Sequence, residues 1–145
     1  MQKFIFSLSL SFLFAIITVA VKAQPEPTLK GIQALRNIAY KTTGNDTSIN
    51  LDIFLPDSIS LKKYPVVIII HGGGWAEGDK TLETIYYMQR LRSELLKNRY
   101  AVLSIDYSLV GKNIHFPMPI EDCKDAIRWV RAHSEKYDLD TSNIG

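Results

Sequence analysis

Residues 64–80 read YPVVIIIHGGGWAEGDK, and this stretch decides how the chain is expected to fold. Residues 66–70 are five consecutive β-branched apolar residues, without the alternation that marks a strand with one solvated face. They predict a strand that is covered on both faces, in the interior of a parallel sheet. Three glycines follow at residues 72–74, and glycine lets the main chain turn sharply and approach a ligand closely. The stretch therefore predicts main-chain N–H groups at the carboxyl edge of a sheet, where open α/β sheets bind ligands.

Three kinds of site use a glycine loop after a strand, and the spacing of the residues distinguishes them. A dinucleotide-binding loop needs G-x-G-x-x-G, but its last position is Glu77, whose carboxylate would face a pyrophosphate. A P-loop needs a lysine directly after its last glycine. Gly73 and Gly78 have the P-loop spacing, but Asp79 is inserted before the lysine. The third kind is an oxyanion hole, whose N–H groups face the oxygen that becomes negative when a carbonyl is attacked, and the sequence favours it.

The motif HGGGW at residues 71–75, with GDK at residues 78–80, resembles the α/β-hydrolase family. It is most similar to the esterase and lipase branch with an HGGG loop, which includes hormone-sensitive-lipase-like and carbohydrate-esterase or feruloyl-esterase-like members. The similarity covers about residues 37–145. Downstream it rests on the residues at positions 104–107, 116–119, 121–122, 126, 128–130 and 140–145.

The resemblance implies roles for the residues of the loop. The N–H groups of Gly73 and Gly74 would form the oxyanion hole, and His71 and Gly72 would support the loop. Trp75 would line the acyl or alcohol side of a substrate pocket, with plain packing beneath the loop as the alternative. The implied fold is an α/β-hydrolase fold, a mainly parallel sheet with helices on both faces.

The catalytic triad of this family is not found in the chain. The family places its serine in a G-x-S-x-G turn after the next strand, and no such sequence occurs in these 145 residues. We therefore expect an α/β-hydrolase domain that is truncated before the nucleophile strand. We also expect this polypeptide alone to be inactive and poorly folded, because residues 66–70 would have an unpaired strand edge.

Other residues with reactive side chains have simpler explanations. His115 and His133 are expected at the surface, and Ser104 and Ser108 lack the turn that a nucleophile needs. Cys123 occupies an apolar helix position and is expected to be a core thiol. The resemblance makes Asp106 part of an Asp-Tyr pair that fixes the following loop. The scattered histidines and the single cysteine predict no metal site, and no cofactor is expected.

The amino terminus predicts export to the periplasm or the extracellular space. Residues 1–23 have a positive start, an apolar stretch and the small-x-small pattern Val21-Lys22-Ala23, which together indicate a signal peptide. The alternative is an uncleaved anchor helix. Residues 24–36 are expected to form a linker, and residues 37–145 the amino-terminal half of the hydrolase domain. Without the leader, 15 basic residues balance 15 acidic ones, which gives no argument for nucleic acid or for a membrane beyond the signal segment.

The pattern of apolar residues predicts the order of the elements. Strands are expected at residues 37–41, at 49–55 with only one face buried, at 66–70 and at 100–105. A helix at residues 83–97 would bury Leu82, Ile85, Met88, Leu91 and Leu95, with Asp79 or Thr81 as its cap. A second helix would run from Pro119 to about Tyr137 and bury Ile120, Cys123, Ile127 and Val130. Residues 138–143 are expected to be a loop, with a further strand starting at Ile144.

The leading hypothesis is the amino-terminal part of an exported serine carboxylic-ester hydrolase. Its partner would be a small-molecule or carbohydrate-linked ester, and the sequence does not predict an oligomeric state. The alternatives are an amidase or peptidase of the same fold, or a non-catalytic hydrolase-like binding module.

Overall fold

A computed structural model of the chain describes residues 32–44, 46–56, 63–81 and 85–145. The predicted signal peptide and residues 24–31 of the predicted linker lie outside these ranges. The described residues form five strands and two helices in the predicted alternation. They are β1 (Gln33–Thr42), β2 (Ser48–Leu55), β3 (Tyr64–Ile70), α1 (Tyr86–Lys97), β4 (Ala101–Ile105), α2 (Met118–Ala132) and β5 (Leu139–Ile144). β1 begins at Gln33, inside the segment that was predicted to be a linker up to residue 36.

The strands form one mixed sheet in the order β1-β2-β4-β3-β5. β3 is parallel to both β4 and β5, as predicted for the buried strand. β2 is antiparallel to both β1 and β4. The pairing of β1 with β2 is antiparallel because a tight turn joins them and reverses the chain. In this turn Thr43 N–H donates to the carbonyl of Thr47 over 2.9 Å.

The helices cover opposite faces of the sheet, as the predicted fold requires. Alternate residues of β4 point to opposite faces. Leu103 and Ile105 pack with Val130 of α2, whereas Val102 packs with Leu96 of α1. All five residues of β4 are buried, so this strand is the centre of the fold.

The prediction that β2 has only one buried face was wrong. Phe54 and Asp52, on the face predicted to be solvated, are both buried. The guanidinium carbons of Arg36 and Arg92 lie 4.7 Å and 4.5 Å from the centre of the Phe54 ring, and Arg36 forms an ion pair with Asp52 over 2.8 Å. Paired charges and an aromatic ring thus bury a face whose sequence alternates like that of an edge strand.

The prediction of a loop at residues 138–143 was wrong, because residues 139–144 form β5, whereas the predicted strand start at Ile144 is confirmed by its pairing with Val66. The edge of β3 that was predicted to be unpaired over residues 66–70 is paired as far as Ile68. β5 pairs with β3 through Tyr64↔Leu139, Pro65↔Asp140 and Val66↔Ile144, with a shift in register after Pro65. Ile68 N–H donates to the carbonyl of Gly145 over 2.9 Å. Asp140 makes this polar strand possible, because its carboxylate accepts the N–H of Ser142 at the irregularity over 2.9 Å.

The buried face of α1 is not the predicted apolar face. Ile85 and Leu91 are exposed, Leu91 to 45%, and Met88 and Leu95 are only partly buried. The buried residues of α1 are Gln89, Arg92, Ser93 and Leu96. Packing of Arg92 on Phe54 sets this rotation, which the hydrophobic pattern does not contain. Leu82 lies outside the described residues.

The predicted boundaries of both helices also changed. α1 begins after Ile85 with no side-chain cap, while Asp79 accepts the N–H of Thr81 over 2.6 Å within the preceding loop. α2 ends at Ala132 instead of about Tyr137, because His133 leaves the helical conformation. In α2, Cys123 and Val130 are buried as predicted, whereas Ile120 and Ile127 are only partly buried. Neither described helix is long and apolar enough to cross a bilayer.

Candidate active site

Two loops meet at the carboxyl edge of the parallel strands. The glycine loop (residues 71–81) follows β3, and the β4 loop (residues 106–117) follows β4. Because β3 and β4 are adjacent and parallel, both loops leave the sheet at the same edge. This is the edge at which the sequence placed a ligand site.

The glycine loop contains a tight turn at its tip. The carbonyl of Gly73 accepts the N–H groups of Ala76 and Glu77 over 3.1 Å and 3.2 Å. Gly74 and Trp75, the central residues of the turn, have φ angles of 62° and 67°. Positive φ at both central positions is typical of a type I′ turn, which reverses the chain tightly.

Glycine is required at two positions because the outgoing limb of the loop (residues 71–73) touches its returning limb (residues 76–80). Gly73 has a φ of +119°, and a Cβ there would lie 1.9 Å from the carbonyl oxygen of Glu77. Gly78 has a φ of +100°, and a Cβ there would lie 2.6 Å from Nδ1 of His71. Gly74 differs, because its Cβ would meet no atom within 4 Å. The close approach thus depends on Gly73 and Gly78, while Gly74 lies in open space.

The predicted oxyanion donors have no acceptor in the part of the chain that the structure describes. No described carbonyl or side chain accepts a hydrogen bond from the N–H of Gly73 or of Gly74, and both residues are exposed. Main-chain N–H groups are strong donors, and exposed ones without a protein acceptor can bind water or a ligand. Two consecutive unpaired N–H groups on a fixed turn are suited to bind a negative oxygen.

Three contacts hold His71 in place at the start of the glycine loop. Its ring stacks on Tyr107 with 4.2 Å between centroids and 10° between planes. Its Nδ1 lies 2.8 Å from the carbonyl oxygen of Gly72, so Nδ1 donates the hydrogen, since a carbonyl only accepts. The hydroxyl of Tyr107 donates to the carbonyl of His71 over 3.0 Å. These contacts are compatible with the predicted support of the loop by His71 and Gly72.

Trp75 is held in a conformation that is rare for a bulky residue. A left-handed φ costs an L-residue roughly 1–2 kcal/mol. The partly buried side chain packs against the core on the α2 side, and its ring lies 5.1 Å from that of Tyr107. Its carbonyl accepts the N–H of Val110 over 2.7 Å. The contacts that offset the strain are packing contacts, which favour the packing alternative for the buried part of the ring, and the substrate-facing role remains a prediction.

Asp106 holds the glycine loop and not the loop that follows it, which corrects the predicted role. Its Oδ1 accepts the N–H of Lys80 over 2.8 Å, and Ser104 Oγ donates to the carbonyl of Lys80 over 2.7 Å. The following loop is held by Asp122, whose Oδ2 accepts the N–H of Ser108 over 2.8 Å. Both carboxylates thus bind main-chain N–H groups, which is a structural role.

Sequence reasoning missed the ion pairs beneath the β4 loop. Asp122, whose side chain is 1% exposed, lies 2.6 Å from Nζ of Lys41, which also lies 2.6 Å from Asp125. The hydrogen bonds to Asp122 and Asp125 raise the pKa of Lys41. The hydrogen bond from Lys41 lowers the pKa of Asp125. No local signal could have joined residues 41 and 122, although an aspartate among the buried positions of α2 indicates a buried partner.

The remaining reactive side chains do not form a nucleophile and base pair among the described residues. Ser104 is fully buried and bound to Lys80, and His115 is exposed as predicted. His133 is partly buried, not at the surface, because its ring stacks on Trp129 at 4.2 Å. Cys123 is a buried free thiol whose pKa is raised by burial. Within the described ranges no three His, Cys, Asp or Glu side chains form a possible metal site.

An open cavity of about 540 Å³ lies between the β1–β2 turn and the β4 loop. Tyr107, which also stacks on His71, lines it together with Ile49, Asn113 and Met118. Among the described residues of its lining, Asp106 has the one acidic or basic side chain, and its carboxylate accepts the N–H of Lys80. The cavity therefore offers an apolar and hydrogen-bonding surface with little net charge.

Comparisons with known proteins agree with this fold. Residues 51–145 match the BD-FAE family. Esterase LipC of Mycobacterium tuberculosis is 31% identical over 125 residues, which are 83% of this chain and 30% of that protein. Arylacetamide deacetylase of Oryctolagus cuniculus is 30% identical over 107 residues, 72% of this chain and 26% of that protein. The solved structure of a truncated form of carbohydrate esterase from gut microbiota superposes with a TM-score of 0.62 at 32% identity, over 78% of this chain and 38% of that chain.

The chain spans about a third of the length of the curated relatives it matches. The BD-FAE match covers well over half of the chain, and it includes the glycine loop, β4 and both helices. From this match, the sheet order and the esterase relatives we conclude that the chain belongs to the BD-FAE family of esterase-type α/β hydrolases.

Proposed function

We propose that this chain carries the oxyanion hole of a serine carboxylic-ester hydrolase that works through an acyl-enzyme. The N–H groups of Gly73 and Gly74 would donate to the substrate carbonyl oxygen as it becomes negative. The observation that carries the proposal is the pair of unpaired N–H groups on a turn at the carboxyl end of β3. One donor of this kind typically lowers the barrier by about 3–4 kcal/mol.

The charges of the loop support a carbonyl oxygen over a phosphate. A P-loop lysine has to reach the phosphates, but Nζ of Lys80 lies 3.5 Å from Asp52 and 3.7 Å from Asp106. Hydrogen bonds from Thr81 lower the pKa of Asp79, so this carboxylate is ionised at neutral pH. A negative group beside the loop and an occupied lysine both disfavour a highly charged anion.

The serine nucleophile, its base and the orienting acid are proposed to lie outside these 145 residues. Support comes from the sequence, which contains no G-x-S-x-G, and from the described serines and histidines, which form no nucleophile and base pair. The chain by itself is therefore proposed to be inactive. We propose that the complete gene product supplies these groups.

We propose a small-molecule or carbohydrate-linked ester as substrate. The carbohydrate esterase among the similar structures supports this class. An amide substrate is the second candidate, because relatives from four mammals are named arylacetamide deacetylase.

The test is hydrolysis by the complete product of the gene that encodes this chain. We expect it to cleave p-nitrophenyl acetate, to cleave p-nitroacetanilide far more slowly, and to lose activity when a phosphonate reagent blocks its serine. Faster cleavage of the anilide would favour the amidase. Binding without cleavage of either compound would favour a non-catalytic module, and tight magnesium-dependent nucleotide binding would overturn the oxyanion assignment.

Export is part of the proposal and rests on the sequence of residues 1–23 alone. The mature protein should begin at Gln24. Amino-terminal sequencing of the protein from its native host tests this, and a protein that keeps residues 1–23 would favour the anchor alternative.

A further inference from the structure

We propose that Ser104 and Asp106, at the end of β4, are positioning residues that hold the oxyanion loop in its active geometry by binding both main-chain groups of Lys80. This inference rests on the proposed function. It assigns a task to two residues that a search for a nucleophile or an acid would discard.

Two side chains form hydrogen bonds with the main-chain groups of Lys80. Ser104 Oγ donates to the Lys80 carbonyl over 2.7 Å, and Asp106 Oδ1 accepts the Lys80 N–H over 2.8 Å. In a sheet a neighbouring strand satisfies both groups of a residue, whereas here two side chains of β4 and its loop do so. Ser104 is fully buried, so this anchor belongs to the rigid centre of the fold.

The side chain of Lys80 also holds this residue in place, through its ammonium group. The side chain is only 12% exposed, and its Nζ lies between Asp52 and Asp106 at 3.5 Å and 3.7 Å. Asp52 is itself held on β2 by Nη1 of Arg36 over 2.8 Å and by the N–H of Asn37 over 2.9 Å. A largely buried ammonium needs such carboxylate partners. Residue 80 is thus connected to both β2 and β4.

The returning limb connects residue 80 to the oxyanion donors. Gly78 packs directly against His71 and against the carbonyl of Gly72. Glu77 packs against Gly73, and its N–H donates to the Gly73 carbonyl over 3.2 Å. The returning limb therefore supports the outgoing limb along its length. Release of residue 80 would free the end of this limb from β2 and β4, and we expect the direction of the Gly73 N–H to become less fixed.

The test compares four variants of the complete gene product. Ser104→Ala removes the bond to the Lys80 carbonyl, and Asp106→Ala removes the acceptor of its N–H. Asp106→Asn keeps an oxygen that can accept that N–H. Ser93→Ala is the matched control, because Ser93 is a buried serine on α1 whose side chain forms no hydrogen bond with the described residues of the glycine loop.

We measure kcat and KM on p-nitrophenyl acetate and the hydrogen exchange of residues 71–79 by mass spectrometry. Ser104→Ala and Asp106→Ala should lower kcat about tenfold or more at nearly constant KM, because the lost interaction is made in the transition state. Both should speed exchange in residues 71–79. Asp106→Asn should recover most of kcat, and Ser93→Ala should change neither quantity.

Unchanged kcat and exchange in Ser104→Ala would overturn the proposal, even if Asp106→Ala does not fold. Equal loss in Asp106→Asn and Asp106→Ala would also overturn it for Asp106. If the unmodified protein cleaves no ester, the proposed function fails, and hydrogen exchange alone then decides whether residue 80 anchors the loop.

Discussion

The glycine loop and the β4 loop leave the same edge of the sheet but use their main-chain N–H groups in opposite ways. At the tip of the glycine loop, the N–H groups of Gly73 and Gly74 have no acceptor among the described residues. In the β4 loop, Ser108 donates to Asp122, and Val110 donates to the carbonyl of Trp75. One loop presents donors to a ligand, and the other uses its donors to hold itself and its neighbour.

The difference shows how exposed donors can be kept in a fixed direction. Contacts from residues 104–110 reach the glycine loop at its start, its tip and its end. The support of the β4 loop itself comes from Asp122, which Lys41 neutralises. Preorganised donors stabilise a transition state because they need no reorganisation during the reaction. We therefore expect the β4 loop, the supporting loop, to determine the stability of the protein. We expect the glycine loop, the presenting loop, to determine its turnover.

The largest effect is expected where the supporting loop loses its buried ion pair. Lys41→Met should lower the free energy of unfolding of the complete gene product by about 3–5 kcal/mol, because it leaves the Asp122 carboxylate buried without its cation. Urea unfolding measures this. Lys124→Met, at an exposed pair with Glu121, is the control and should cost less than about 1 kcal/mol. Equal losses in the two variants would break the assignment of support to Lys41 and Asp122.

Gly73→Ala should act on turnover in the presenting loop. A Cβ at residue 73 would lie 1.9 Å from the carbonyl of Glu77, so the turn has to move and its donors with it. We expect kcat on p-nitrophenyl acetate to fall about 10²–10³-fold, the range for one lost oxyanion donor. Gly44→Ala, in the β1–β2 turn where a Cβ meets nothing within 4 Å, is the control and should keep full activity. Full activity of Gly73→Ala would remove Gly73 from the site.

Gly74→Ala should lower kcat less than Gly73→Ala does. The comparison of the two variants tests whether steric contact sets the geometry of the turn. Its Cβ would meet nothing within 4 Å, so the change adds only the strain of a left-handed φ of 62°. We expect a cost of roughly 1 kcal/mol and a decrease in kcat of less than about tenfold. Gly74→Asn should be milder still, since asparagine adopts this conformation more readily. A greater loss than in Gly73→Ala would show that steric contact at Glu77 does not set the geometry.

The smallest expected effect is a pH dependence of the stability that Lys41 and Asp125 contribute beneath the β4 loop. The hydrogen bond from Lys41 lowers the pKa of Asp125 in the folded protein. Asp125 therefore contributes stability above the ordinary carboxyl pKa of about 3.9, and this contribution is lost as the pH falls through the folded pKa. The difference in melting temperature between the unmodified protein and Asp125→Asn should be small at pH 7 and should shrink as the pH is lowered below about 3.9. A difference that grows in acid would contradict the assigned direction of the shift.

The parts of the fold that could be predicted from the sequence are those with local signals. The apolar run of β3, the glycines at 73 and 78 and the alternation of strands and helices were readable because each is a pattern of neighbouring residues. The first part of β5, before Ile144, was missed because its residues are mostly polar and pair with β3 only in the folded chain. The buried face of α1 was missed because Arg92 packs on an aromatic ring of β2.

The site shows the same division. The loop that presents the donors was identified from its glycines, whereas the role of Ser104 and Asp106 in holding Lys80 was not. Asp106 and Lys80 are 26 positions apart, and Lys41 and Asp122 are 81 positions apart. Ion pairs and side-chain bonds at such separations form only when the fold brings their strands together, so no local pattern records them.

The most direct test of the oxyanion assignment observes the two N–H groups themselves. The complete gene product, labelled with ¹⁵N-glycine, is compared by NMR before and after a phosphonate reagent forms a covalent adduct with its serine. The amide protons of Gly73 and Gly74 should shift strongly downfield as they bind the negative phosphonyl oxygen, while that of Gly44 should not move. A complete adduct that leaves the amide signals of Gly73 and Gly74 in place would contradict the account.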